Sequence, residues 1–165
     1  MVVITAGRTG PNRSLRFGGD PSLDDGGRRG VARLRDERAT PESAHSAVAG
    51  PEAAVRESCA VLGVDVVIDD ELRSLDVGRW SGLGPEQIDP AELGRWFADP
   101  HACPHGGESI AVFVDRVHRW RSGHATLPEL VVVAMPVAQA LLAPDAAHYF
   151  EVEVRPATRY SVICH

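Results

Sequence analysis

Apolar residues along this chain fall into two alternating kinds of run: short β-branched blocks, and longer segments where they recur every three or four residues. Val2, Val3 and Ile4 form the first block, bounded by Ala6 and Gly7, and read as a buried strand opening onto a loop. The loop from Gly7 to Gly27 is too long and too punctuated by turn residues to be a mere connector. Gly27 to Arg38 places Val31 and Leu34 at helical spacing among arginines, the pattern of a helix with a narrow apolar face and a solvated basic one. Ala39 to Pro51 is weakly patterned, so a second strand near His45 to Val48 is placed by position in the alternation rather than by propensity. Glu52 to Leu62 regains a helical pattern and stops at Gly63, with a strand expected over Val64 to Ile68.

Beyond a loop from Asp69 to Leu83, a short amphipathic helix is predicted over Pro85 to Asp99 through Ile88, Leu93, Trp96 and Phe97. A second loop, Pro100 to Gly107, precedes the clearest helix, Ser109 to Arg121, with Ile110, Val112, Phe113, Val117 and Trp120. Leu130 to Ala134 reads as a fully buried strand and Val137 to Leu142 as a helix. Tyr149 to Val154 and Tyr160 to Cys164 read as a closing antiparallel pair. This alternation predicts an α/β fold, a three-layer α/β/α sandwich in a single domain over residues 1–165.

Composition narrows the partners. A net charge of −6 argues against nucleic acid or an anionic membrane. No apolar run approaches the roughly 18 residues of a spanning helix, and no basic-then-apolar segment opens the chain, so a cytoplasmic location is expected. Cys59, Cys103 and Cys164 lack paired spacing and are expected as free thiols. All 17 basic residues are arginine, which removes any lysine Schiff-base chemistry. His101-x-Cys103-x-His105 offers zinc-type ligands, but the spacing is not standard and no fourth ligand is near, so no metal is assigned; no cofactor is assigned either.

Four stretches, in order, carry a resemblance. Thr9, Asn12, Arg16, Gly18, Asp20-Pro21, Leu23 and Gly27 precede a helix; Leu72 to Leu83 contains Gly78-x-Trp80-x-Gly82; Gly106-Gly107-Glu108-Ser109 precedes the next helix; Leu130 to Leu142 is a strand and helix. Together they resemble the histidine phosphatase superfamily, which includes cofactor-dependent phosphoglycerate mutases. The resemblance implies an Arg-His-Gly triplet after the first strand, where this chain has Thr5-Ala6-Gly7. It implies an arginine in a Ser-Pro-Leu-Arg-Arg-Ala type run, here matched to Ser46 through Pro51 with Gly50 or Ala49 in the arginine's place. It implies a proton-donating glutamate where Ser74 stands, and a second histidine where Ala134 stands, followed by Met135-Pro136 in place of paired glycines. Phosphoryl transfer of that kind needs an imidazole nucleophile, cations around the phosphate oxygens and an acid for the leaving group. An active phosphatase or mutase is therefore not expected.

The same resemblance implies a pocket at one end of the sheet. Its candidate catalytic residues are Ser74, Asp76 and Glu108, and its candidate ligand-binding residues are Thr5, Arg8, Asn12, Arg16, Ser46, Ser109 and Met135. Asp76 has a second reading as a brace for the following glycine turn, and Glu108 as a charge meeting a helix dipole. Trp80 is read as packing beneath its loop. The leading expectation is a scaffold recruited to bind or transform a non-phosphorylated small molecule by cyclisation, dehydration, isomerisation or hydrolysis, as in specialised metabolism. The alternative is a catalytically inactive binding or regulatory protein, acting through a partner or as a homodimer with an apolar patch at Tyr160 to Cys164. Residual phosphatase action through His45, His101 or His105 ranks last.

Overall fold

A computed structural model describes residues 1–10, 16–37 and 47–162. Its centre is a five-stranded sheet of β1 (Val2–Thr5), β2 (Ala47–Ala49), β3 (Val67–Ile68), β4 (Leu130–Val133) and β5 (Arg159–Ser161), ordered β3-β2-β4-β1-β5. The first four run parallel, and β5 pairs antiparallel with β1, so the sheet is mixed. All four residues of β4 are fully buried, as a central parallel strand covered on both faces requires.

The side-chain alternation of the strands builds two cores. Val3, Val131 and Val133 point into one with α4 (Ile110–Gly123) and α5 (Met135–Leu142), together with Trp96 of α3 (Pro90–Ala98). Ile4, Leu130 and Val132 point into the other with α1 (Asp25–Asp36) and α2 (Ala53–Leu62). Helices thus cover both faces, which makes the three expected layers. Local chemistry sets the helix ends: Asp24 caps α1 by accepting the Gly27 N–H at 2.6 Å, Ser109 caps α4, and Gly63 ends α2 at φ 73°.

Several expected boundaries shift. Helix α3 starts at Pro90, after a separate 3-10 turn at Pro85–Gln87. Strand β3 is only Val67–Ile68, paired with Val48 and Ala49 of β2, while Val64 and Val66 before it pack against the α1/α2 core without strand pairing. The closing antiparallel pair is not formed as expected: Tyr149–Glu151 is a 3-10 turn, and β5 takes β1 as its partner. The turn lets Tyr149 and Phe150 both join an aromatic cluster, with Phe150 centred 5.0 Å from Trp96, which a strand pointing them to opposite faces would forbid. Along β5 an exposed Arg159 and Ser161 flank a half-buried Tyr160, so the described part of that edge presents no apolar patch; residues 163–165 lie outside the described residues.

Two loops are strapped together beside the sheet. Arg79 N–H donates to the His105 carbonyl at 3.0 Å, and Glu108 N–H to the Asp76 carbonyl at 2.7 Å. His105 is buried against Trp80, with centroids 4.9 Å apart, and its Nδ1 accepts the Gly107 N–H. Desolvation holds its pKa below the usual imidazole value. It is a packed core residue, and among the described residues no group of three or more His, Cys, Asp or Glu is placed to hold a metal. Cys59 is a buried free thiol whose pKa burial pushes up to about 12.

Gly78 sits at φ 47° inside this strap, and a Cβ there would collide with the His105 carbonyl oxygen. Gly78→Ala is expected to cost about 1–3 kcal/mol in urea unfolding. Gly94, in the middle of α3, has open space where its Cβ would go, and Gly94→Ala is expected to stabilise by about 0.4–1 kcal/mol in the same measurement.

Candidate functional site

A cleft of about 870 Å³ opens where β1 and β4 end and α2 begins. This is the carboxyl edge of the parallel strands, where open α/β sheets receive ligands. Its deep end is lined by Ala6 after β1, Ala54 in the first turn of α2, and Ala134 after β4. One wall is the first loop, with Arg8, Arg16 and Asp20; the opposite wall runs from Arg73 to Val77, and Met135 and Pro136 close the side. Val55, Leu75, Val77 and Met135 give the lining an apolar character, with charge confined to a few side chains.

The structure brings five of the candidate residues to this cleft: Ser74, Asp76, Arg8, Arg16 and Met135. Arg8 is half exposed and its Nε donates to Asp24 at 2.8 Å. The Gly27 N–H first, and then Arg8, hold the Asp24 carboxyl below the usual carboxylate range. Arg16 donates to the Gly82 carbonyl at 2.6 Å, fixing the first loop to the turn after Trp80. Asp76 accepts the Gly78 N–H at 2.9 Å, so it braces its turn as well as lining the cleft.

Three candidates are not among the residues lining the cleft. Thr5 is fully buried and donates from its hydroxyl to the Arg155 carbonyl at 2.6 Å. It shares its strand face with Val3, toward the α4/α5 side, while Ala6 takes the other face. Glu108 accepts from Arg116 through both oxygens, at 2.8 and 2.9 Å, and the two side chains are 13% and 10% exposed. Arg116 also donates to the Arg73 carbonyl at 3.2 Å and to that of Glu71. Glu108 is thus neither a free acid nor simply a charge on a helix dipole. Ser109 is spent on capping α4, accepting the Val112 N–H at 3.3 Å. Asn12 and Ser46 lie outside the described residues.

The cleft also holds residues that the reading of the sequence missed, above all Glu52, with Ala54 and Arg73. Ala54, in the first turn of α2, lines the cleft, while Ala49 at the end of β2 and Gly50 after it do not. Glu52 accepts the Ser74 N–H through Oε1, while Oε2 is enclosed with no hydrogen-bond partner. Desolvation raises its pKa, the Ser74 N–H and then Glu52's own backbone N–H oppose that, the charge of Asp20 adds to it, and that of Arg116 subtracts.

With this geometry described, comparison with known proteins gives the family. Residues 2–151 match the model of the histidine phosphatase superfamily (branch 1), and the chain belongs to that family. It is 31% identical over 131 residues to the bifunctional protein Rv2228c of Mycobacterium tuberculosis H37Rv, covering 73% of this chain. It spans only 36% of that relative's length. Among solved structures, it superposes on the mycobacterial glucosyl-3-phosphoglycerate phosphatase Rv2419c complexed with VO3 at a TM-score of 0.77. That pair is 25% identical, over 96% of this chain and 90% of the other. A phosphoglycerate mutase from Thermus thermophilus superposes at 0.75 with 26% identity, over 96% and 89%. Among the described residues no helix is long and apolar enough to cross a membrane.

Two outcomes are expected from the charges around the cleft. Glu108→Ala leaves the Arg116 guanidinium buried without its carboxylate and should cost about 3 kcal/mol in urea unfolding. For Glu52, the folded state keeps a proton where the unfolded chain has already lost it, near the ordinary value of 4.5. Its contribution is therefore full below that value and declines as pH rises through the higher folded pKa. Urea stability measured from about pH 4 to 8 should show that decline in the wild type and a smaller one in Glu52→Gln.

Proposed function

We propose that this chain is a ligand-binding member of the superfamily that holds or transforms a non-phosphorylated small organic molecule and does not transfer phosphoryl groups through histidine. One observation carries the reading: the deep end of the cleft is lined by Ala6 and Ala134, the positions where the resemblance expects the nucleophilic histidine and the second histidine, together with Ala54, and neither Ala49 nor Gly50, matched to one expected arginine, lines it. The other expected arginine is matched by Thr5, which does not line the cleft. Among the described residues no histidine lines it: His105 is buried beneath Trp80, and His101 is exposed on the far loop.

Each charged hydrogen bond to a phosphate is worth roughly 1.5–3 kcal/mol, so a site without these groups loses most of its grip on a phosphoryl dianion. What remains suits a different guest. The cleft volume is that of a site for a small organic molecule, apolar surface dominates its lining, and Ser74, Asp76 and Glu52 offer polar contacts along one side. Chemistry open to such a site is proton transfer, as in isomerisation, dehydration, cyclisation or hydrolysis. Glu108 and Ser109 being committed to structural bonds favours the second reading, an inert binding or regulatory protein, because it removes two polar groups from the candidate machinery.

The purified protein is expected to release no phosphate from p-nitrophenyl phosphate, and vanadate is expected to leave the amide resonances of Ala6, Gly7 and Arg8 unshifted. Neutral organic compounds screened by the same NMR experiment should shift Leu75, Val77 and Ala134, and Ala134→Leu, which fills the deep end, should abolish those shifts. Phosphomonoester turnover, or vanadate shifts centred on Gly7 and Arg8, would overturn the reading.

A further inference from the structure

Glu52 occupies the N-cap position of α2 yet does not cap it, for its side chain makes no capping bond. The Ala53 N–H is served from another element, by Asp20 Oδ1 at 2.7 Å. Relieved of that duty, the Glu52 carboxyl lies along the cleft and accepts from the backbone of Ser74 on the opposite wall. Gly50 makes the path possible: a Cβ at that residue would stand 2.7 Å from Glu52 Oε2 and 2.9 Å from the Leu72 carbonyl oxygen. Ser74 is the position where the resemblance places the proton-donating glutamate. A carboxyl is therefore delivered to the same wall from α2 when residue 74 no longer carries one.

Resting on the small-molecule reading of the cleft, we propose that Glu52 supplies the site's exchangeable proton and that the ligand carries a neutral oxygen acceptor, such as a ketone, lactone or amide carbonyl. The bond from Ser74 occupies Oε1 as an acceptor, which leaves Oε2 as the oxygen that carries the proton in the acid form. In the structure Oε2 has no hydrogen-bond partner among the described residues. The terminal torsion of a glutamate is broad, so a modest rotation presents the O–H to the cleft. The charged groups that share the cleft with it are Asp20, Arg8 and Arg16 from the first loop and Arg73 and Asp76 from the Arg73 to Val77 wall, and Arg116 acts on it from α4. Of these, Asp20 opposes ionisation of Glu52 and Arg116 favours it. In the acid form Glu52 donates to the carbonyl oxygen of the guest; once ionised it repels that oxygen.

The test uses protein labelled with carboxyl-13C glutamate, in which the Glu52 resonance is assigned from Glu52→Gln and, independently, from its proximity to the Ser74 amide. A panel of cyclic ketones, lactones and amides is screened against matched carboxylic acids. The Glu52 resonance should titrate above 4.5, the ordinary glutamate value, and should move when a carbonyl probe binds. Affinity of the wild type for that probe should fall about tenfold per pH unit above the Glu52 midpoint. Glu52→Gln should bind at every pH without that dependence, because its amide N–H donates throughout. Probe-dependent shifts at Leu75 and Ala134 with an unmoved Glu52 carboxyl, or a pH profile identical in Glu52→Gln, would remove this role and leave the cleft a ligand site. No shift anywhere in the cleft with any probe would remove both readings.

Discussion

The cleft depends on a line of polar contacts anchored by Arg116. From α4, on one face of the sheet, its guanidinium grips Glu108 and the carbonyls of Glu71 and Arg73. The next residue, Ser74, gives its N–H to Glu52 at the start of α2, on the opposite face. Two helical layers that share no direct core are thereby tied over the carboxyl edge of the sheet, and the wall between them is fixed at both of its sides. A partly buried ion pair of this sort adds little net stability over an apolar replacement; its consequence is geometric, because breaking one partner strands the other.

That arrangement lets the cleft keep its shape independently of any guest. Its walls are held by contacts that do not involve a ligand: the Asp24 cap with Arg8, the Asp20 bond to α2, the Arg16 bond to Gly82, and the strap between the Asp76 and His105 loops. None of these requires an imidazole at the deep end. Alanines there leave space rather than collapse, since the strands behind them are fixed by β1–β4 pairing.

The fold was legible where burial dictates sequence directly. Leu130 to Val133 could only be a covered central strand, and Ile110 to Trp120 repeat with the period of a helix. Ala47–Ala49 was not legible by propensity, because in a three-residue strand between β4 and β3 a single β-branched residue, Val48, sits between two alanines. The alternation from Tyr149 misled for a tertiary reason: adjacent aromatic rings join one cluster through a 3-10 turn. In the site, residue type near a strand end did not reveal direction. Thr5 and Ala6 are neighbours, yet strand geometry sends one toward the Arg155 carbonyl and leaves the other on the cleft. Glu108 had the right chemistry for an acid, but its partner lies eight residues on, at Arg116, two helical turns into α4.

Glu52 is the converse case. In sequence it looks like one more acidic residue meeting the start of a helix, where its charge would favour the dipole. Only the position of Asp20, which takes over the α2 backbone, and the absence of a side chain at Gly50 redirect the carboxyl to Ser74. Each of those residues has an ordinary local explanation, a turn aspartate and a turn glycine. Taken together they specify a carboxyl path that neither would specify alone, so the placement of this carboxyl resides in a relation between three backbone segments rather than in a motif.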